Sequence, residues 1–112
     1  MHEYPITKRI IEIAEEYAVK NNAAQVKAIN LVVGDYCGYV ASSIELYFEL
    51  IAEGSVCEKA KLNIERIVPR LKCSSCGKLF IRKPFSFECP DCKGQGRPTE
   101  IGQEFYIKSI EI

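Results

Sequence analysis

Residues 73–92 read Cys73-Ser-Ser-Cys76-Gly-Lys-Leu-Phe-Ile-Arg-Lys-Pro-Phe-Ser-Phe-Glu-Cys89-Pro-Asp-Cys92. Two CxxC pairs stand here with twelve residues between them. A CxxC turn aims both its sulfurs at one point, and two such turns complete a tetrahedron of thiolates. Zn²⁺ suits that arrangement: it binds thiolate at ~2.3 Å and has no redox chemistry to lose in a reducing compartment. Gly77 follows the first pair directly and offers the permissive backbone that such a turn uses. The competing accounts are a disulfide pair and a thioredoxin-like redox site. The redox site needs one CxxC opening a helix in a βαβ setting, which two facing copies fit poorly. An iron–sulfur cluster also takes four thiolates and stays open at this level. With all four positions filled by protein, a zinc ion held by Cys73, Cys76, Cys89 and Cys92 would be structural.

Charge sets this segment apart from its flanks. Residues 69–98 hold seven basic side chains against Glu88 and Asp91, a formal +5, and the rest of the chain is a formal −5. A zinc ion with four thiolates subtracts about two charges from the basic part, which leaves the contrast in place. We therefore expect two units: a helix–sheet domain made of residues 1–68 plus 99–112, and a zinc-binding module at 69–98.

The flanks supply the elements of the larger unit. Ile6, Ile10, Ile13, Ala14 and Tyr17 recur at helical spacing, with Pro5 placed for the first helical position and Asn21-Asn22 as the stop. Met1-His2-Glu3 is expected to project ahead of that helix. Residues 26–33 alternate as a strand ended by Gly34-Asp35. Ser42 and Glu45 fit a capping box that opens a second helix, whose apolar stripe is Ile44, Tyr47, Phe48 and Ile51 and whose end is marked by Gly54. Leu62 and Ile64 mark a second strand, and 104–112 a third, nearly continuous in apolar residues. Two strands joined through a helix should lie parallel by a right-handed crossover. The fold class expected is α+β: two helices packed on a three-stranded mixed sheet, with an inserted zinc-ribbon-like module of four cysteines.

The length of 112 residues limits the chain to one main core and a small satellite. Charged residues interrupt every apolar stretch near the start, so neither a signal peptide nor a membrane span is expected, and the cytoplasm is the expected location. Zero net charge gives no general pull towards nucleic acid. Cys37 and Cys57 are isolated and read as small buried hydrophobes.

His2 is the only histidine. At position 2 its imidazole, the α-amine of Met1 and the amide nitrogens of His2 and Glu3 can converge. Deprotonated amides with an imidazole give the strong in-plane field that favours square-planar Ni(II) or Cu(II). Chemistry alone does not separate this from an incidental surface histidine.

Met1-His2-Glu3 at the start resembles the signature of the HypA/HybF family of hydrogenase nickel-incorporation proteins. So do Val33-Gly34, Leu46-Tyr47-Phe48-Glu49, Ala60-Lys61-Leu62-Asn63-Ile64, both cysteine pairs, Phe87-Glu-Cys89-Pro90 and the ending Gly102 to Ile112. The resemblance implies a nickel metallochaperone, not an enzyme, that delivers Ni²⁺ as cargo during maturation of [NiFe]-hydrogenase and, in some bacteria, urease. It implies Met1, His2 and Glu3 as the nickel-binding residues and a structural Zn²⁺ on the four cysteines. The partners implied are a HypB-type GTPase and the hydrogenase large-subunit precursor, with a homodimer open and no nucleic acid or membrane. Two departures are Pro5, where the family often has a small residue, and the absence of a histidine beside the cysteine pairs.

Two other functions compete. A zinc ribbon binding nucleic acid or a transcription complex would use the basic segment and stack bases on Phe80, Phe85 and Phe87. Those rings are expected instead to pack the small lobe, and the acidic domain would repel phosphate. An enzyme would need a nucleophile–base pair or a phosphate-cradling loop, and the i, i+4 carboxylates Glu12/Glu16, Glu45/Glu49 and Glu49/Glu53 read as solvated helix faces.

Overall fold

The computed structural model describes residues 3–112. In chain order these form α1 (Glu3–Lys20), β1 (Ala28–Gly34), α2 (Ala41–Ala52), β2 (Lys61–Ile67), β3 (Leu71–Cys73), β4 (Leu79–Phe80), β5 (Gly96–Pro98) and β6 (Phe105–Glu111). They make two sheets, ordered β2-β1-β6 and β4-β3-β5.

In the first sheet β1 is central, parallel to β2 and antiparallel to β6, so the sheet is mixed as expected. Ile29, Leu31 and Val33 share the face that meets the helices, each under 3 % exposed. On β6 their partners are Ile110, Ile107 and Phe105. Ile107 and Ile110 are three apart, which a strict alternation would place on opposite faces. A bulge between Asn30 and Leu31 resolves this: Asn30 pairs with Ser109 and Leu31 with Ile107, leaving Lys108 without a partner residue. The extra residue returns both isoleucines to the core face.

α1 buries Thr7, Ile10, Ile11, Ala14 and Ala18. The expected stripe is thus rotated by about one residue: Ile11 and Ala18 lie inside, and Tyr17 stays exposed. The small side chains of Ala14 and Ala18 let the helix approach closely, which a pattern scored on large apolar residues undervalues. Thr7 is fully buried and spends its hydroxyl on the Glu3 carbonyl at 2.6 Å. α2 buries Ile44, Phe48 and Ala52, and Tyr4 of α1 meets Tyr47 edge-on at 5.5 Å between ring centroids.

Three local expectations are corrected. Glu3 is inside α1, so it does not project, and Pro5 falls within the first turn at a position where no helical N–H bond is lost. Ser42 does not cap α2; its N-cap is Val40, with no side-chain cap of its own. The Val40 N–H instead donates to the Glu3 carboxylate at 3.1 Å, so a residue from α1 does what the third residue of a capping box would do. The third strand is also shorter than 104–112.

The helix stops hold. Asn21 donates its amide to the Tyr17 carbonyl at 2.8 Å, and Asn22 takes a left-handed conformation at φ 54°.

The chain leaves the first sheet at Ile67 and returns through Gly102. A Cβ on Gly34 would lie 2.1 Å from the Gly102 carbonyl oxygen, and one on Gly102 would press on Pro69 at 2.8 Å. Only glycine permits this crossing, where Tyr36 N–H donates to the Gly102 carbonyl at 2.7 Å.

Candidate metal centre

The two cysteine pairs are built as the same turn twice. Cys73 N–H donates to the Lys78 carbonyl at 2.9 Å, and Gly77 N–H returns to the Cys73 carbonyl at 3.0 Å. In the second turn, Cys89 N–H donates to the Gly94 carbonyl at 2.9 Å and Lys93 N–H to the Cys89 carbonyl at 3.0 Å. The residue after each second cysteine has positive φ: Gly77 at 75° and Lys93 at 61°. The first turn places glycine where the backbone demands it, and the second accepts the strain of a lysine there.

The turns bring the four sulfurs together. Every pair lies within 4.8 Å, with Cys73–Cys92 at 3.3 Å and Cys76–Cys89 at 3.8 Å. Disulfide sulfurs sit about 2.05 Å apart, and all six cysteines are free thiols. A tetrahedron with metal–sulfur bonds of ~2.3 Å has edges of about 3.8 Å, so one ion at the centre reaches all four ligands. A polynuclear iron–sulfur cluster would hold the sulfurs farther apart around its own bulk. The donor set therefore fits a single tetrahedral ion.

Cys73 and Cys89 are buried, and Cys76 and Cys92 face solvent. The N–H groups of Ser75 and Cys76 both point at the Cys73 sulfur at 3.4 Å. Hydrogen bonding from the Cys76 backbone, with Ser75 behind it, lowers the Cys73 thiol to about 6. Cys92 goes the other way. The Gly94 N–H pulls it down, but the sulfurs of Cys73 and Cys76 outweigh that and push it up to about 12. Thiolates this close cannot all ionise against one another, so the pair splits. A dication relieves the repulsion for all four.

Beneath the sulfurs lies a core of Leu71, Cys73, Phe80 and Cys89. The expectation that three phenylalanines pack this lobe is corrected: only Phe80 does. Phe87 is 47 % exposed with Arg82 stacked 4.6 Å above its ring, and Phe85 is wholly exposed. Lys78, just past the first turn, pairs with Asp91 inside the second, and that carboxylate raises the lysine's pKa. The ion pair ties one turn to the other.

Of the residues expected to carry nickel, Met1 and His2 lie outside the described residues. Glu3 is described, and its carboxylate is engaged by Val40. The first turn of α1 is thus joined to the start of α2 at the residue that follows His2 in the chain.

Comparison with known proteins settles the family. A family model described as hydrogenase/urease nickel incorporation, metallochaperone, hypA, matches residues 1–112. The chain belongs to the HypA family. It is 36 % identical over 113 residues to a hydrogenase maturation factor HypA of Caldanaerobacter subterraneus subsp. tengcongensis, covering 100 % of this chain and 99 % of the relative. The corresponding Geobacter metallireducens protein is 37 % identical over 112 residues with the same coverage. Among solved structures, the solution structure of the Ni metallochaperone HypA from Helicobacter pylori aligns with a TM-score of 0.64 and 27 % identity, covering 98 % of this chain and 96 % of that one. A second solution structure of a HypA protein gives 0.68 and 29 %, covering 100 % and 96 %.

Within this HypA-family chain, Cys57 is wholly buried. Burial, with Glu15 adding to it, pushes its thiol up to about 11 despite a hydrogen bond with the Ser55 side chain. Cys37 is half-buried, its sulfur accepting the Tyr39 N–H at 3.4 Å. Cys57 is the small buried hydrophobe expected, whereas Cys37 is only partly covered. Sequence reasoning missed the Glu3–Val40 link and the Lys78–Asp91 tie, which join residues 37 and 13 positions apart with no local pattern to announce them. It also passed over Gly94, which holds the place in the second turn that Lys78 holds in the first. A Cβ there would sit 2.8 Å from the Ser75 hydroxyl and 2.9 Å from the Cys73 sulfur.

Proposed function

We propose that this chain is a nickel metallochaperone acting in hydrogenase maturation, in which Met1, His2 and Glu3 hold Ni²⁺ as cargo and Cys73, Cys76, Cys89 and Cys92 hold a structural zinc. The observation that carries the reading is the match to the nickel-incorporation family over residues 1–112, in a chain whose only histidine stands at position 2. Zinc at the cysteines supplies a crosslink and no reaction, because four protein ligands leave no position for a substrate.

The chain's residues divide the work. Residues 69–98 form the zinc unit, and 1–68 with 99–112 form the nickel unit. Glu3 supports nickel binding by tying the start of α1 to α2, its carboxylate accepting the Val40 N–H. The chain is read as cytoplasmic and non-enzymatic; among the described residues no helix is long and apolar enough to cross a membrane. A HypB-type GTPase and the hydrogenase large-subunit precursor are the proposed partners, with a second copy of the chain as a third.

Metal analysis of untagged protein, with and without added nickel, tests this. One zinc per chain and one further Ni(II) that His2→Ala abolishes are expected. Nickel binding equal in His2→Ala and wild type would overturn the assignment.

A further inference from the structure

A cleft of 370 Å³ lies between the two sheets, lined by Tyr36 from the turn after β1, by Val68 to Leu71 on the crossing, and by Ile81 to Pro84 and Phe87 from the basic lobe. Three features of it have no role in holding either metal.

Its cations lack acidic partners among the described residues, although Arg82 also stacks on the Phe87 ring at 4.6 Å. Arg70, Arg82 and Lys83 line the cleft, and none of them pairs with a carboxylate among the described residues. The one acid on its wall, Asp35, is already bound by Arg66 at 2.7 Å.

Its apolar walls are open. Val68, Ile81 and Phe87 are 47 %, 56 % and 47 % exposed, in a lobe whose own core is four residues. Contiguous exposed apolar surface edged with charge marks an interaction site more often than chance.

Its rim is strained. Phe85, next to Pro84 on the wall, has φ 61° and is 100 % exposed. A bulky residue in the left-handed region costs energy; the turn closed by the Ser86 N–H on the Lys83 carbonyl at 3.2 Å holds the backbone there, while the ring itself meets nothing among the described residues. A ring held out under strain is more economically explained by what it meets than by what it leaves.

We propose that this cleft and the Phe85 tip dock an extended acidic segment of a partner protein that carries one apolar anchor side chain. Arg70, Arg82 and Lys83 would pair with its carboxylates, while the anchor enters between Val68, Ile81 and Phe87. Charge complementarity selects this occupant. Nucleic acid also brings negative charge, but one face of Phe87 is taken by Arg82 and is lost for base stacking. A second copy of the chain would offer its acids from helix faces, Glu45 and Glu49 on α2 among them, and not from an extended segment, so self-association is an outcome that the test below separates. The inference is independent of nickel carriage and survives or fails separately from it.

The test is selection from a phage-displayed library of random dodecapeptides on the immobilised, zinc-loaded full chain. Enriched peptides should be rich in Asp and Glu around an aromatic or aliphatic residue, and enrichment should vanish on Arg82→Glu with Lys83→Glu. Zinc content and far-UV circular dichroism of that variant should match wild type, since both side chains are exposed. Calorimetry with the top peptide should show roughly tenfold weaker binding to the charge-reversed protein, and a steep loss with salt. Phe85→Gly should weaken the peptide while leaving the lobe at least as resistant to zinc chelation, because glycine relieves the strain. No enrichment, enrichment without acidic bias, or unchanged binding to the charge-reversed protein would overturn the proposal. So would tighter binding of a single-stranded oligonucleotide at the same residues, or self-association abolished by the same reversal.

Discussion

Gly94→Ala should loosen the zinc site without touching a ligand. The added Cβ would stand 2.8 Å from the Ser75 hydroxyl, 2.9 Å from the Cys73 sulfur and 3.0 Å from the Ser75 Cβ. The hydroxyl can rotate aside. The sulfur cannot, because the Ser75 and Cys76 N–H groups point at it and a bound metal would fix it further. The turn itself must therefore shift, and overpacking of this kind costs about 1–3 kcal/mol. Gly94 is not in the left-handed region, so alanine meets no backbone penalty and the effect is steric. If lobe folding and zinc binding are one equilibrium, that cost appears in metal affinity as roughly a 5- to 150-fold loss. Competition with a chromogenic chelator measures it directly. Gly77→Ala is the contrasting control: its Cβ meets nothing within 4 Å but would carry φ 75°, so it tests left-handed strain alone. Zinc affinity of Gly94→Ala within twofold of wild type would show that the sulfurs are not held where the geometry puts them.

Four further outcomes are expected. Cys73→Ala should lose zinc and unfold 69–98 while the helix–sheet domain keeps its own core, read by metal analysis and by amide peak dispersion. A Gly-Ser extension ahead of Met1 should weaken Ni(II) binding in calorimetry, because it replaces an amine with a less basic amide and crowds the metal plane; equal affinity would remove the chain end from the ligand set. Glu3→Ala should destabilise the α1–α2 junction by about 0.5–2 kcal/mol in thermal unfolding, the usual cost of a lost cap, with zinc content unchanged. The Cys57 thiol, raised to about 11, binds its proton more tightly folded than unfolded, so its contribution is intact below its unfolded pKa and is lost as pH rises towards 11. Stability to denaturant across that window should fall less steeply for Cys57→Ala than for wild type.

The meeting of the four sulfurs was legible because the spacing that brings cysteines together is local. Spacing within each CxxC fixes the turn, and only the meeting of two turns depends on the fold. Even the distribution of glycine followed: Gly77 could be read from its place after a cysteine, whereas its structural counterpart Lys93 (φ 61°) carries no such mark. The phenylalanines were misread for a related reason. Counting apolar residues in a small lobe suggests that each must be core, but a metal on the four cysteines would do the work of a core there, beside Leu71 and Phe80.

The larger domain shows where pattern reading stops. Parallel pairing of β1 with β2 follows from the helix between them, and it was expected. The bulge at Asn30/Leu31 was not, because Lys108-Ser109 looks like an interruption until β1 is laid beside it and one residue is seen to loop out. The start of α2 is subtler. Ser42 and Glu45 satisfy the local rule for a capping box, yet the structure uses Val40 as N-cap and draws the carboxylate from Glu3. A local rule lost to a tertiary partner, and the partner is one of the three residues that the family signature shares. Glu3 thus has a structural reason to be glutamate that is separate from any contact with a metal. A variant that keeps the carboxylate but shortens it, Glu3→Asp, separates the two: if Glu3 serves nickel only by anchoring the chain start to α2, Glu3→Asp should weaken nickel binding in step with the loss of junction stability, and a nickel defect with unchanged thermal unfolding would place the carboxylate on the metal instead.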